Sequence, residues 1–466
     1  MRLELSKYIY LIGIGGIGMS ALARYFKSKG KKVFGYDKRK SSLSKELENE
    51  GINIHYNDQL DNIPQLLIRA SSNEIFVIYT PAISSHNFLY KFFTKKVDKI
   101  YKRSEVLGMI SKKMFTIAIA GTHGKTTITA ILAHILRQSG IDNTAFIGGI
   151  SKNYNTNLLL GGEGSSLIIE ADEFDRSFLQ LYPDIAVITS VDTDHLDIYE
   201  NKDELHKAFK QFSRQIKNNG LLFVENTIDI KLPIKKSVNR FSYSATDKSD
   251  YYAENIKVKE GKMFFDMKIN RLASNLISNY KQQEAELILP GVHNVSNAVV
   301  ASAIAFYLGL SNKDVINGLS TFKGISRRFD LHINNKKLVY VDDYAHHPKE
   351  ISLTINAARE MFPDRCITVV FQPHLFSRTK DLAQEFSESL SLANQLIILE
   401  IYPARELPIK GVNSEMLLDL CMNPKKETCS KEELLQILEN KKLDVLLTLG
   451  AGDIDSLVEP IKHLLN

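Results

Sequence analysis

The stretch from Met114 to Gly140, MFTIAIAGTHGKTTITAILAHILRQSG, constrains the fold more than any other part of this chain. A β-branched apolar run leads into a turn bracketed by glycines, then into a long run of helical periodicity that stops at a glycine. A strand apolar on both faces, followed at once by a helix, belongs to a parallel sheet covered by helices on both sides. The same grammar recurs near the start, where YIYLIGI reads as a strand, MSALARYFKSK as a helix ended by Gly30, and KVFGYD as the next strand. EIFVIYTPAI repeats the strand-then-turn form. After Phe322, the runs KLVYVDDYAHHP, CITVVFQPHLFSRT, QLIILEIYPARE and DVLLTLGAGD each deliver polar residues at their carboxyl ends, where open parallel sheets bind ligands. The fold class is therefore α/β. The Lys-, Asn- and Ser-rich stretch from Leu221 to Leu289 reads as hairpins and loops.

A chain of 466 residues exceeds one ordinary core, and about three domains are expected. The net charge of +5 is spread rather than clustered, so no nucleic-acid footprint is expected. Cys366, Cys421 and Cys429 have no metal-like spacing and read as free, packed thiols of a reducing compartment. No secretory leader is apparent, and no run approaches the ~18 apolar residues of a membrane span. These features predict a cytoplasmic protein.

The first candidate site is a phosphate cradle. In AGTHGKTT, the residues Gly121, Thr122, His123 and Gly124 would point backbone N–H groups at phosphate oxygens ahead of a helix N-terminus. Lys125 can then reach the β- and γ-phosphates, and a hydroxyl from Thr126 or Thr127 can hold Mg²⁺. Ile119 stands where the general motif has its first glycine. The bland account is a lysine in an ordinary βα turn, but GKTT in this context favours chemistry on ATP. EADEFD ends the next β-like run, and hard carboxylate oxygens there suit Mg²⁺; Glu170, nearest the strand, is the candidate ligand. A solvated acidic loop is the plainer account of Glu173 and Asp175.

Further candidates follow along the chain. DTDHLD places His195 among acids, for a metal or phosphate role. Asn294 and Asn297 lie three apart at a helix start, on one face, where they could cap the helix or read an adenine edge. SRRFD, DDYAHHPKE and QPHLFSRT contribute Arg328, Asp343, His346 and Arg378; arginine suits bidentate capture of carboxylate or phosphate. Zinc at the histidines is disfavoured, because no ligand spacing supports it. At the N-terminus, GIGGIG followed by Asp37 has the form of a dinucleotide-binding turn.

In this order, GTHGKTT, EADE, DHLD, HN followed by Asn297, RRFD, DYAHHP and QPH…SRT make the chain similar to the Mur ligases of peptidoglycan synthesis, over essentially its whole length. GIGGIGMS together with DDYAHHP resembles the branch that couples L-alanine to UDP-N-acetylmuramate. The resemblance implies a Rossmann-like UDP-substrate domain at residues 1–108, a central P-loop ATPase domain at 109–323 and a C-terminal Rossmann-like amino-acid domain at 324–466. It implies an acyl phosphate made from ATP and attacked by L-alanine. Lys125 would hold the γ-phosphate, Thr126 or Thr127 with Glu170 one Mg²⁺, and His195 a second. Asn294 and Asn297 would contact adenine, with Arg328 and Asp343 on the nucleotide. His346 would be the base and Arg378 the carboxylate clamp of the amino acid. Gly15, Gly16, Ile17, Gly18 and Ser20 would cradle the UDP diphosphate, with Asp37 toward the uridine. A monomer or dimer is expected. Leu375, Phe376 and Ser377 depart from the family form QPHRYTRT, Phe174 from its Ser and Ala345 from its Gly.

Other readings compete. An NAD-dependent dehydrogenase explains Tyr10 to Asp37 but leaves GTHGKTT, EADEFD and DTDHLD unused. A murein-recycling ligase would join a tripeptide to the same sugar nucleotide. A folylpolyglutamate-type ligase would not require the N-terminal cradle, and a non-enzymatic ATP switch would hydrolyse ATP without forming an amide.

Overall fold

The computed structural model describes residues 2–192, 199, 201–259, 261–271, 284–404 and 406–466. His195 lies outside the described residues. Three sheets carry the architecture. The first comprises β1 (Tyr8–Ile12), β2 (Lys32–Tyr36), β3 (Asn53–His55), β4 (Ile75–Tyr79) and β5 (Tyr101–Lys102), all parallel, in the order β3-β2-β1-β4-β5. The strand order reverses between β1 and β4, which opens a crevice at their carboxyl ends. Gly13 turns the chain there at φ +87°, and a Cβ on it would meet Thr80, just past β4, at 2.5 Å.

The second sheet is built around β6 (Thr116–Ala120), whose five residues are all buried. It continues with β7 (Asn143–Ser151), β8 (Thr156–Leu159), β9 (Ser166–Ala171), β10 (Ile185–Ile188), β11 (Leu221–Glu225), β12 (Asn239–Ser244), β13 (Tyr251–Lys259), β14 (Lys262–Ile269) and β15 (Glu284–Leu287). β6 is flanked in parallel by β9 on one side and β10 on the other. The expectation of hairpins from Leu221 onward is corrected for the first part of that stretch. β11 and β12 extend the parallel sheet beside β10, and among the pairings described in this stretch only β14 with β15 is antiparallel.

The third sheet has the order β16-β17-β21-β18-β19-β20, formed by β16 (Asp330–Asn334), β17 (Val339–Asp343), β18 (Ile367–Phe371), β19 (Gln395–Leu399), β20 (Lys425–Cys429) and β21 (Val445–Leu449). Only β16 runs antiparallel. Two apolar clusters pack on its faces, one around Val341, Phe371 and Phe386, the other around Tyr340, Leu399 and Leu446.

By packing, residues up to 254, 267–271 and 296–322 belong to one compact unit, and 255–266, 284–295 and 323–466 to a second. Within the first unit one apolar cluster runs from Ile9 and Leu11 through Leu22 and Val106 to Phe178, Phe209 and Phe212. The first two sheets thus share a core. Among the described residues no helix is long and apolar enough to cross a membrane. The three cysteines are free thiols, with burial raising Cys421 and Cys429 to about 11.

Candidate active site

The loop after β6 is held open by what its glycines allow. Gly121 sits at φ +127°, and a Cβ there would lie 2.1 Å from the Thr189 hydroxyl oxygen. Gly124 caps the helix Lys125–Gln138 in the left-handed conformation (φ 81°), and its Cβ would lie 2.6 Å from Asn297 Oδ1. Because β10 is the parallel neighbour of β6, the residues just past it stitch the loop. Thr122 N–H donates to the Ser190 carbonyl (3.3 Å), His123 N–H to Ser190 Oγ (3.1 Å), and Asp192 N–H to Thr122 Oγ1 (3.0 Å). His123 Nε2 lies 3.5 Å from Asp192 Oδ2.

β9, the other neighbour, delivers the acids. The Thr126 hydroxyl donates to Glu170 Oε2 (3.0 Å), and Gly148 N–H donates to Glu170 Oε1 (2.5 Å). Lys125 Nζ donates to the Gly121 carbonyl (2.6 Å) and to Glu173 Oε2 (2.8 Å). Burial opposes the lysine charge, but Glu173, Asp172 and Glu170 outweigh it and hold its pKa above the ordinary value. Glu173 is 1 % exposed. The reading of Glu173 as a solvated loop residue is therefore corrected: the turn after β9 folds it inward onto the lysine. Asp175 pairs instead with Lys102 Nζ at 2.9 Å, its own backbone left-handed at φ 53°. A hydroxyl and a carboxylate side by side at a phosphate-type loop form an all-oxygen set of the kind Mg²⁺ takes.

Two candidates of the N-terminal cradle hydrogen-bond within the fold itself. Asp37 Oδ2 accepts the Gly15 N–H at 2.8 Å, so this carboxylate braces the turn itself. Ser20 is fully buried; its hydroxyl donates to the Ile17 carbonyl (2.9 Å) and accepts from Asn157 Nδ2 (2.9 Å). It joins the helix Ile17–Ser28 to β8 rather than facing a ligand. Sequence reasoning missed Asn157 and Arg103, the latter lying over Gly18 with Nη1 2.7 Å from where a Cβ would be. Neither belongs to a recognisable motif.

In the helix Val292–Tyr307, Asn294 Nδ2 donates to the Pro290 carbonyl at 2.7 Å and so ties the first turn to the loop before it. Asn297, by contrast, lies against the Gly124 turn.

In the second unit, the carboxyl end of β17 gathers the remaining candidates. Asp343 is nearly buried, and its two oxygens accept from Phe329 N–H (2.6 Å) and Ala345 N–H (2.7 Å). Burial pushes its carboxyl up to about 6, against the pull of Arg328 and those two amides. Asp343 thus braces the two loops that these amides belong to. Arg328 stacks on the Tyr344 ring at 5.3 Å and reaches Glu350 at 3.9 Å. His346 Nδ1 lies 3.0 Å from the Tyr344 carbonyl and 3.3 Å from Glu350 Oε2. Burial lowers its pKa, Glu350 opposes this, and the Arg378 charge adds to the lowering. Arg378 is in the short helix Phe376–Asp381, which Leu375 enters at φ 72° and Glu406 secures through Ser377 N–H (2.9 Å). Among the described residues no group of His, Cys, Asp and Glu has metal-site geometry by itself.

Family models match nearly end to end. The Mur ligase family catalytic domain matches residues 8–114, the Mur ligase middle domain 119–305, and the Mur ligase glutamate ligase domain 327–452. The chain belongs to the Mur ligase family. Like other Mur ligases it is made of three α/β domains, here one around each sheet. It is 45% identical over 459 residues to UDP-N-acetylmuramate–L-alanine ligase of Cytophaga hutchinsonii, covering 98% of this chain and 96% of the relative. Identity is 46% over 467 residues to the enzyme of the same name from Flavobacterium psychrophilum, covering all of both chains. The crystal structure of UDP-N-acetylmuramate-alanine ligase from Thermotoga maritima superposes with TM-score 0.81 at 26% identity, over 98% of each chain.

Proposed function

We propose that this Mur ligase is an ATP-dependent enzyme of the cytoplasm that joins the lactyl carboxylate of UDP-N-acetylmuramate to the amino group of L-alanine. The observation that carries the reading is the convergence of Lys125, Thr126 and Glu170 around the open loop 121–124, in a chain with full-length relatives of that name. Residues 1–108 would take the UDP-sugar, 109–323 ATP, and 324–466 the amino acid.

A carboxylate is a poor electrophile, so it is first phosphorylated by ATP. The acyl phosphate is then attacked by the amine, and the tetrahedral adduct collapses to amide and phosphate. Lys125 leaves its contact with Glu173 to offset charge on the transferring phosphoryl group. Thr126 and Glu170 would hold Mg²⁺, which when bound neutralises phosphate oxygens. The second metal role of His195 rests on its DHLD motif. Asn297, against the Gly124 turn, would read the nucleotide base. His346 is suited to take the proton of the alanine ammonium: Nδ1–H directed at the Tyr344 carbonyl leaves the Nε2 lone pair available, and the lowered pKa keeps the ring neutral near pH 7. Arg378 would clamp the alanine carboxylate.

The test is product formation by purified protein with ATP, Mg²⁺, UDP-N-acetylmuramate and a panel of L-alanine, L-serine, glycine and the recycling tripeptide. UDP-muramoyl-alanine with stoichiometric ADP is expected. Product only with the tripeptide, or ADP without any amide, would sink the reading.

A further inference from the structure

Arg103 begins the helix Arg103–Ser111, immediately after β5, and no sequence motif includes it. Its guanidinium lies close to Gly18: Nη1 is 2.7 Å, and Cδ and Cζ are 3.2 Å, from where a Cβ on Gly18 would sit. A side chain at 18 would displace the guanidinium from this position. Gly18 is in the first turn of the helix Ile17–Ser28, which has no acidic residue in that turn and no side-chain cap on Gly16. The unsatisfied N–H groups of a helix start carry partial positive charge. A cation is therefore held against the positive end of a helix, an arrangement that is unfavourable unless an anion joins them.

Asp37 braces Gly15 in the turn before the helix, but among the described residues no side-chain anion pairs with Arg103 within hydrogen-bond reach. The guanidinium side chain is 25 % exposed, and its nearest acid, Asp172, stands at 4.0 Å, beyond hydrogen-bond reach. Arg103, Glu170 and Asp172 line one narrow cleft. The cation thus stands between the glycine turn and the strand end that carries Glu170.

We propose that Arg103 is a substrate-binding residue whose guanidinium fork holds the diphosphate of the UDP-sugar alongside the Gly15–Gly18 turn. This rests on the function proposed above and names a residue for it. The loop amides and the fork together would neutralise the diphosphate, and the arginine would fix the sugar nucleotide relative to Glu170.

The test is calorimetric titration of the full chain with UDP, UMP and ATP, comparing wild type with Arg103→Gln and Arg103→Lys. Wild type should prefer UDP to UMP. Arg103→Gln should lose about tenfold or more in UDP affinity, as expected for a charge-assisted pair, and with it the preference over UMP. ATP affinity and the melting temperature should stay unchanged. Arg103→Lys should recover part of the loss. Gly18→Ala, which displaces the guanidinium, should reproduce the defect. Wild-type-like UDP binding by Arg103→Gln would overturn the assignment alone. Equal losses for UDP, UMP and ATP would also overturn it, by showing a structural role. Failure of wild type itself to bind UDP would overturn the functional reading and this inference with it.

Discussion

At the scale of single residues, Lys125 and Glu173 form the most consequential pair. Lys125→Ala should abolish amide formation and, by removing the counter-charge of the buried Glu173, lower the melting temperature while the fold is retained, measured by coupled ADP release, circular dichroism and thermal unfolding; residual turnover near wild type would remove the lysine from the chemistry. Glu173→Gln is a finer probe. It deletes the nearest counter-charge but keeps the shape, so burial of Lys125 is opposed only by Asp172 and Glu170. The Lys125 pKa should then fall, and the alkaline limb of kcat/KM should move to lower pH. An unmoved limb would mean that the lysine is not held by this contact. His346 governs the opposite limb: its lowered pKa keeps it a base below pH 6.5, and His346→Asn should lower kcat more than it changes KM for ATP. GKTT and Glu170 were legible from sequence because backbone-directed phosphate binding and hard-metal ligation need those residue types beside a strand end. Glu173 was not. Whether an acid three residues past a strand faces water or a lysine depends on how the next turn bends, and no local pattern encodes that.

At the scale of elements, the loop between β6 and its helix depends on neighbours that are distant in sequence. Gly121→Ala would place a methyl group against Thr189 in a left-handed backbone, costing at least about 1–2 kcal/mol before the clash is relieved. The expected outcome is a raised KM for ATP with a smaller effect on the UDP-sugar, read from initial rates with each substrate varied. The helix that follows carries a second dependence. His134 is 1 % exposed, with Nδ1 2.9 Å from the Tyr154 hydroxyl and Nε2 3.0 Å from Thr321 Oγ1. Burial lowers its pKa to about 4 from 6.5. The unfolded chain therefore protonates first as pH falls, so the stability this histidine allows is complete above about 6.5 and is lost between there and about 4. The loss amounts to up to about 3 kcal/mol. His134→Gln should flatten that part of the pH–stability curve in denaturant titrations. β6, β9 and β10 were readable as buried strands because each is apolar on both faces. β11 and β12 read as hairpins because short alternation looks the same whichever strand lies alongside.

At the scale of the whole molecule, three α/β domains were legible because each repeats the strand–turn–helix pattern. The sharing of one core by the first two was not legible, since apolar periodicity says that a face is buried and not against what. The helix Ile17–Ser28 shows the cause. Leu22 is fully buried, Tyr25 packs its ring 5.6 Å from Phe146 of β7, and Asn157 of β8 donates to the Ile17 carbonyl at 2.6 Å. The helix that presents the glycine turn of the first sheet is thus anchored on strands of the second. Its position relative to Glu170 is therefore set by packing rather than by a linker. Leu22→Ala should cost about 2–5 kcal/mol, the usual range for a buried leucine truncated to alanine. If the core is common, the loss should appear equally in amide exchange of β1 and of β6, because both sheets open in one cooperative step. Faster exchange confined to the first sheet would show two cores that merely touch. Global exchange with unchanged ATP affinity would show that the second sheet keeps its loop geometry until the shared core opens.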